Sequence, residues 1–354
     1  MVFGVICELN PMHSGHKYLI SSIKKNENDC VICAMSGNFV QRGEFAVYDK
    51  FTRARTALEN GADLVIDLPT VCSTLSAQGY ANAGVKLLEA TGICECLAFG
   101  AECDDIQELK RIADEIKEKD AEIKKELEKG ISYPRARQNV IASPILSEPN
   151  NILAIEYLTY TKLKAVAVKR IGKGHDSDDE EYSAGEIRKH LSVNEISTMK
   201  NCEPAILFKL RTMTAEDFAQ LDDVSEGLEN RIFEAVRSSA SLDELYDKIK
   251  TKRYTHSRIR RIILRAYLGI NKKEPKEPQY VHILGFNDKG RELLSKMKKS
   301  AKLPIITKYS DINNMSGEIK RLYENECRYT DIYNLGFTPA KPCGAEQKSK
   351  IVIV

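Results

Sequence analysis

The sequence predicts an α/β fold: a Rossmann-like parallel sheet, then a helical region, then a small α+β C-terminal domain. Three observations lead there. Five short apolar runs alternate with helical patterns over roughly the first half of the chain, which implies a mostly parallel sheet covered on both faces. Residues 190–270 carry only short amphipathic segments, and 279–354 mix short strands with a helix around 287–300. The polar, proline-containing stretch Lys272-Lys-Glu-Pro-Lys-Glu-Pro278 separates the last two as a linker. The expected division is therefore 1–190, 191–271 and 279–354.

Taken in order, the strand-like runs are 2–7, 30–35, 63–68, 96–99 and 165–168. Helices are expected at about 16–25, 50–60, 74–90, 104–128 and 151–162. In the longest of these, Ile106, Leu109, Ile112, Ala113, Ile116, Ile123 and Leu127 fall near helical spacing, so its many charges form the solvated face. In an open parallel sheet, ligands collect beyond the carboxyl ends of the strands. The segments 13–16, 36–44, 100–102 and 170–183 all follow expected strands, so they should converge on one rim.

Composition narrows the class. The chain has 354 residues, 42% hydrophobic and 29% charged, with a net charge of +2. That is enough for a main core with smaller additions. No apolar stretch approaches the roughly 20 residues that span a bilayer, and no basic leader opens the chain. Ten scattered cysteines read as buried free thiols of a reducing cytoplasm. Cys30 and Cys33 have zinc-like spacing, but strand alternation points them to opposite faces and no second pair completes a site, so no metal ligands are assigned.

The chemistry begins at His13-Ser14-Gly15-His16, between the first apolar run and an expected helix start. Glycine lets a backbone approach a ligand, and unpaired N–H groups at a helix start favour anions. Two imidazoles three residues apart add donors for phosphate oxygens. Such a site supplies no nucleophile; it holds a triphosphate while another group attacks its α-phosphate. A second anion site is suggested by Ser183-Ala-Gly-Glu-Ile-Arg188, which alone would read as a plain capping box. From Lys250 to Arg265 there are seven basic residues and no acid, with Tyr254 and His256 interleaved. Ile259, Ile262, Ile263 and Tyr267 give that helix a buried side and leave its cations outward, a pattern suited to RNA phosphates and exposed bases. The acidic run 175–181 reads as a surface loop.

At this point the chain resembles the His-x-Gly-His nucleotidyltransferase superfamily, and within it the tRNA(Met) cytidine acetate ligase family. The motifs carrying the likeness are Cys7-Glu-Leu-Asn-Pro-Met-His-Ser-Gly-His16, Met35-Ser-Gly-Asn-Phe-Val-Gln-Arg-Gly-Glu44, Gly61-Ala-Asp-Leu-Val-Ile-Asp-Leu-Pro69, Phe99-Gly-Ala-Glu102, Pro149-Asn-Asn-Ile-Leu153 and Lys250-Thr-Lys-Arg-Tyr-Thr255. Met12 stands where the family usually has Phe, Tyr182 and Ala184 flank Ser183 in place of Ile and Ser, and the chain past about 268 is shorter than in many relatives.

The resemblance implies an ATP-dependent ligase. It would couple acetate to AMP, release pyrophosphate, and acetylate N4 of the wobble cytidine in elongator tRNA(Met). It implies ATP contacts at Ile6, Cys7, Glu8, Asn10, Pro11, His13, Ser14, Gly15, His16, Leu19, Gly100, Asn151, Arg170, Ile171, Ser183 and Arg188. Catalytic roles fall to His13, His16 and Arg42, with Arg42 or Gln41 orienting acetate or the α-phosphate unless Arg42 merely pairs with Glu44. The tRNA surface is expected at Lys250, Lys252, Arg253, Tyr254, Arg258, Arg260 and Arg261. Mg²⁺ is expected with the ATP; neither membrane nor DNA is an expected partner. The rivals are an adenylyltransferase of a phosphorylated small molecule, a class I aminoacyl-tRNA synthetase, which the missing Lys-Met-Ser-Lys-Ser loop disfavours, and a non-catalytic RNA-binding protein on the same fold.

Overall fold

A computed structural model describes residues 1–170, 184–192, 195–225 and 227–354. Its centre is one mostly parallel sheet. Strands β1 (Val2–Cys7) and β2 (Cys30–Ser36) pair in parallel, and the two-residue strands β3 (Phe39–Val40) and β4 (Glu44–Phe45) form a separate antiparallel hairpin just beyond β2. Strands β5 (Leu64–Leu68), β6 (Cys96–Ala101) and β7 (Lys164–Lys169) complete the expected set. The C-terminal part adds β8 (Val281–Phe286), β9 (Ile305–Ile306) and β10 (Val352–Ile353). The sheet order is β10-β8-β5-β2-β1-β6-β7, with β9 beside β8. The chain builds outward from β1 in one direction and then, at β6, in the other, so the switch point lies between β1 and β6.

Alternation along the strands sorts the core into two layers. Phe3, Val5, Cys7, Val31 and Cys33 pack with Ile20 and Ile23 of α1 (Ser14–Ile23) and with Ala54, Ala57 and Leu58 of α2 (Lys50–Glu59). The opposite face, with Ile6, Ile32, Leu64, Ile66, Leu97 and Phe99, packs on α4 (Ala77–Ala90), which follows the one-turn α3 (Thr70–Ser73), and on α8 (Pro149–Tyr160). Cys33 belongs to the first layer and Cys30 packs against the second, so the two thiols do point apart, and all ten cysteines are free.

Several expectations need correction. The helix expected over 74–90 starts late, because α3 ends at Ser73 and α4 is capped by Ser76, whose hydroxyl accepts from the Gly79 N–H at 3.4 Å. The helix expected over 104–128 breaks at Lys119 into α5 (Ile106–Glu118) and α6 (Asp120–Leu127). Next comes α7 (Tyr133–Ile141), which the sequence reading passed over. Residues 279–354 do not build a sheet of their own. β8 runs antiparallel beside β5 and β10 parallel beside β8, so this stretch extends the central sheet.

Buried charges tie that extension down. Lys50 Nζ reaches Asp67 at 2.6 Å and Glu346 at 2.8 Å, with Glu346 on α17 (Ala345–Lys348). Glu326, on α16 (Gly317–Asn334), accepts from the Thr70 N–H at 2.6 Å and hydroxyl at 2.7 Å. Helix α15 (Asp288–Ser300) returns Leu293, Leu294 and Met297 to the core.

After α9 (Ala184–His190) the middle region is helical as expected: α10 (Glu203–Arg211), α11 (Ala215–Ala219), α12 (Leu228–Ser238), α13 (Leu242–Ile249) and α14 (His256–Leu268). The apolar faces of α10 to α14 join the α/β core in one continuous cluster.

Candidate active site

A cleft of about 510 Å³ opens at the switch point, beyond the carboxyl ends of β1, β6 and β7. Its wall brings together Ile6, Cys7, Glu8, Asn10, His13, Gly15, His16, Leu19, Arg42, Gly100, Arg170 and Arg188. These come from five stretches of sequence, and their convergence is what the alternating pattern predicts.

The two histidines form a reciprocal cap on α1. His13 is the N-cap residue, and its Nδ1 accepts from the Gly15 N–H at 3.1 Å, while His16 Nδ1 accepts from the His13 N–H at 3.3 Å. This is the capping-box exchange with imidazoles in place of hydroxyl and carboxylate. A ring whose Nδ1 accepts carries its proton on Nε2. The cap therefore sets the tautomer of both rings and makes each Nε2 a donor. Their centroids lie 3.9 Å apart. A Cβ at Gly15 would sit 3.0 Å from His13 Cε1, so any side chain there presses on the His13 ring. Burial, His13 and Arg170 bring the His16 pKa down to about 3, so that ring is neutral at physiological pH.

Arg53 organises the floor, a role the sequence reading missed. It is buried on α2, and its Nη1 donates to the carbonyls of Glu8 at 2.5 Å and Ser36 at 3.0 Å, its Nε to Tyr48 O at 2.9 Å, and its Nη2 to Gly37 O. One guanidinium thus clamps the loops that leave β1 and β2. Arg188 Nη1 donates to Asn10 O at 2.6 Å, and Asn10 Oδ1 accepts from the Val47 N–H at 2.8 Å. The Asn10–Pro11 bond is cis, and Leu9 sits at φ 47°.

The loop carrying Gln41 and Arg42 is seated on α14. Gly43 has φ +78°, and a Cβ there would collide with the Arg260–Arg261 backbone. The expected Arg42–Glu44 alternative is not formed, because Glu44 pairs with Arg260. Arg42 is exposed on the cleft wall and Gln41 N–H donates to Glu8 Oε1 at 2.7 Å.

Other assigned residues fall differently. Asn151 is buried behind the wall, its Oδ1 accepting from the Cys103 N–H at 2.9 Å, while the neighbouring Asn150 lines the cleft. Pro11 and Ser14 are not among the lining residues. Ile171, Ser183 and the acidic run 175–181 lie outside the described residues.

The basic segment departs most from expectation. Arg261 and Arg265 are buried on Asp223 at 3.0 Å and Asp222 at 2.7 Å, and Arg258 donates twice to Asp223 O. Tyr254 is buried with the Arg258 guanidinium over its ring at 5.0 Å, so it presents no open face to a base. The error was to treat only aliphatic positions as the inward side. A charged helix facing the acidic pair Asp222–Asp223 buries its arginines instead. Lys252 and His256 are exposed, and Lys250 and Arg253 half-buried.

Among the described residues, one cluster has metal-ligand geometry, Asp67, His282 and Glu346. Lys50 already neutralises two of the three, and none lines the cleft. Among the described residues, the cleft wall gathers no carboxylate cluster fit to hold Mg²⁺.

Comparison with known proteins accords with this geometry. The profile described as HIGH Nucleotidyl Transferase matches residues 1–348. The tRNA(Met) cytidine acetate ligase of Acetivibrio thermocellus is 35% identical over the full length of both chains. That of a Thermoanaerobacter species is 37% identical over 98% of each. Thermotoga maritima TmcAL bound with alpha-thio ATP superposes with a TM-score of 0.86 at 30% identity, covering 100% of this chain and 99% of its own. The apo form of the same protein gives 0.88. The chain belongs to the HIGH nucleotidyl transferase family and, within it, to the tRNA(Met) cytidine acetate ligases.

Proposed function

We propose that this chain activates acetate with ATP and transfers the acetyl group to N4 of the wobble cytidine of elongator tRNA(Met). The observation that carries the reading is the two-histidine cap at the mouth of α1, which presents fixed donors to a cleft flanked by Arg170 and Arg188. A triphosphate entering there meets a helix N-terminus, two neutral Nε2–H groups and two guanidiniums. An acetate oxygen attacks the α-phosphorus, the bond to the β-phosphate oxygen breaks, and pyrophosphate leaves with that electron pair. The donors gain strength as charge builds on the leaving oxygens, which is what lowers a barrier rather than merely binding substrate. Arg42, exposed on the opposite lip, holds the acetate or the α-phosphate. Mg²⁺ would travel with the triphosphate, since among the described residues the cleft wall offers it no carboxylate cluster.

The acyl-adenylate then meets the cytidine amine. Residues 1–190 supply activation, and the helical region 191–271 supplies the tRNA surface. Within the basic segment the exposed cation is Lys252. The cytoplasm, where tRNA and reduced cysteines occur, is the proposed location.

The test is mass spectrometry of tRNA(Met) after incubation with isotopic acetate, ATP and the protein. Label on the first anticodon nucleoside is the expected result. Pyrophosphate released only with a phosphorylated small molecule would favour the adenylyltransferase rival, and none under any condition the non-catalytic one.

A further inference from the structure

Acyl transfer to an amine must dispose of a proton, and the two imidazoles cannot take it. Each has its Nδ1 lone pair engaged by a backbone N–H and its proton on Nε2. Two carboxylates line the cleft among the described residues, Glu8 and Glu44. Glu44 is held by Arg260, and Lys169, the lining lysine, faces Asp104 at 3.6 Å. Buried phenols are no better: burial pushes Tyr80 and Tyr157 up, so they stay protonated.

Glu8 is different. It follows β1 directly, its carbonyl fixed by Arg53. Its Oε1 accepts from the Gln41 N–H at 2.7 Å, which fixes the carboxyl on the cleft wall beside Arg42. Resting on the reading of this cleft as the acetate-activating site, we propose that Glu8 is the general base of the transfer step. The N4 lone pair attacks the acetyl carbonyl carbon, the C–N bond forms, and the bond to the phosphate oxygen breaks with AMP taking its electron pair. The amine proton passes to the Glu8 carboxylate.

The surroundings suit that task. Burial raises the Glu8 pKa, against the Gln41 N–H, Arg42 and Arg53, which lower it, while Glu44 raises it further. Cys7, Tyr80 and Tyr157 are the other titratable groups that feel its charge. A carboxylate above its ordinary range is a stronger base.

The experiment uses rapid quench on the full chain with tRNA(Met), following acetate-dependent pyrophosphate release and acetyl transfer separately from pH 5 to 9. For Glu8→Gln, transfer relative to adenylation should fall by roughly 10²–10⁴-fold, the usual worth of a general base. The wild-type transfer rate should rise with pH and level off; Glu8→Gln should lose that limb and Glu8→Asp keep part of it. Transfer in Glu8→Gln that keeps pace with its adenylation overturns the proposal. So does slowed transfer with the pH limb intact, which marks a merely structural role. A wild type that releases no pyrophosphate with acetate overturns the parent reading, and this inference with it.

Discussion

The cleft and the basic helix α14 began with equal promise, and the structure treats their charges in opposite ways. At the cleft, the two imidazoles meet the helix backbone through Nδ1. His13 and His16 spend Nδ1 on the cap and keep Nε2–H as donor. On α14, Arg261 is held by Asp223, Arg265 by Asp222, the Val71 carbonyl and the Thr74 hydroxyl, and Arg258 by the Asp223 carbonyl. A count of charges in a sequence therefore says little about charge available to a ligand; what matters is whether an internal partner of matching shape lies within reach.

The largest expected effect breaks the cleft side of that contrast. Replacing His16 with Ala removes a fixed donor and should lower acetate-dependent pyrophosphate release by roughly 10²–10³-fold. Unchanged release would show that the cap is structural only.

Next comes the helix. Arg265→Ala strands Asp222 in a buried site, although Lys276 also reaches it at 2.8 Å. Breaking a buried pair costs about 3–5 kcal/mol, and the second cation places this one near the lower end. Chemical denaturation reads the loss, and stability within about 0.5 kcal/mol of wild type would mean the pair is not buried in solution.

A finer comparison separates accessible from consumed cations. Lys252→Ala should reduce the slope of log affinity for tRNA against log salt by ~1, as expected for one phosphate contact. Arg261→Ala should leave the slope as it is while lowering stability. The reverse pattern would restore the outward-facing reading of α14.

The smallest effect is spectroscopic. With its pKa near 3, His16 should show no ring titration in NMR between pH 8 and 5. The sign for stability follows: an unfolded His titrates at about 6.5, so the neutral, half-buried ring contributes fully above that pH and loses its contribution as pH falls toward the folded value. Titration of His16 near pH 6.5 would mean the ring is neither buried nor capped.

How much of this was legible in the sequence differs by interaction type. The strands β1, β2, β5 and β6 were, because each buries both faces and so reads as a mainly apolar run, and the edge strand β7 was through its short Ala-Val-Ala-Val stretch. β8 reads equally well as a strand, but nothing local tells that Val281–Phe286 will pair antiparallel with β5 rather than found its own sheet. The His-x-Gly-His turn was legible, yet its reciprocal cap was overlooked, although three-residue spacing of two acceptor side chains at a helix start is its signal. Arg53 left no trace, since an arginine on an amphipathic helix is ordinarily solvated and only the tertiary fold brings four carbonyls to it. The same non-locality hid the Asp222–Asp223 partners of α14.

The central claim is that the paired imidazoles, held as neutral donors by the helix cap, grip a triphosphate. A crystal structure of this chain with a nonhydrolysable ATP analogue tests it most directly. The expected result puts phosphate oxygens about 2.7–3.2 Å from Nε2 of His13 and His16, with both Nδ1 bonds to the backbone kept. Phosphates bound elsewhere, or rings turned so that Nδ1 faces the nucleotide, would contradict the account.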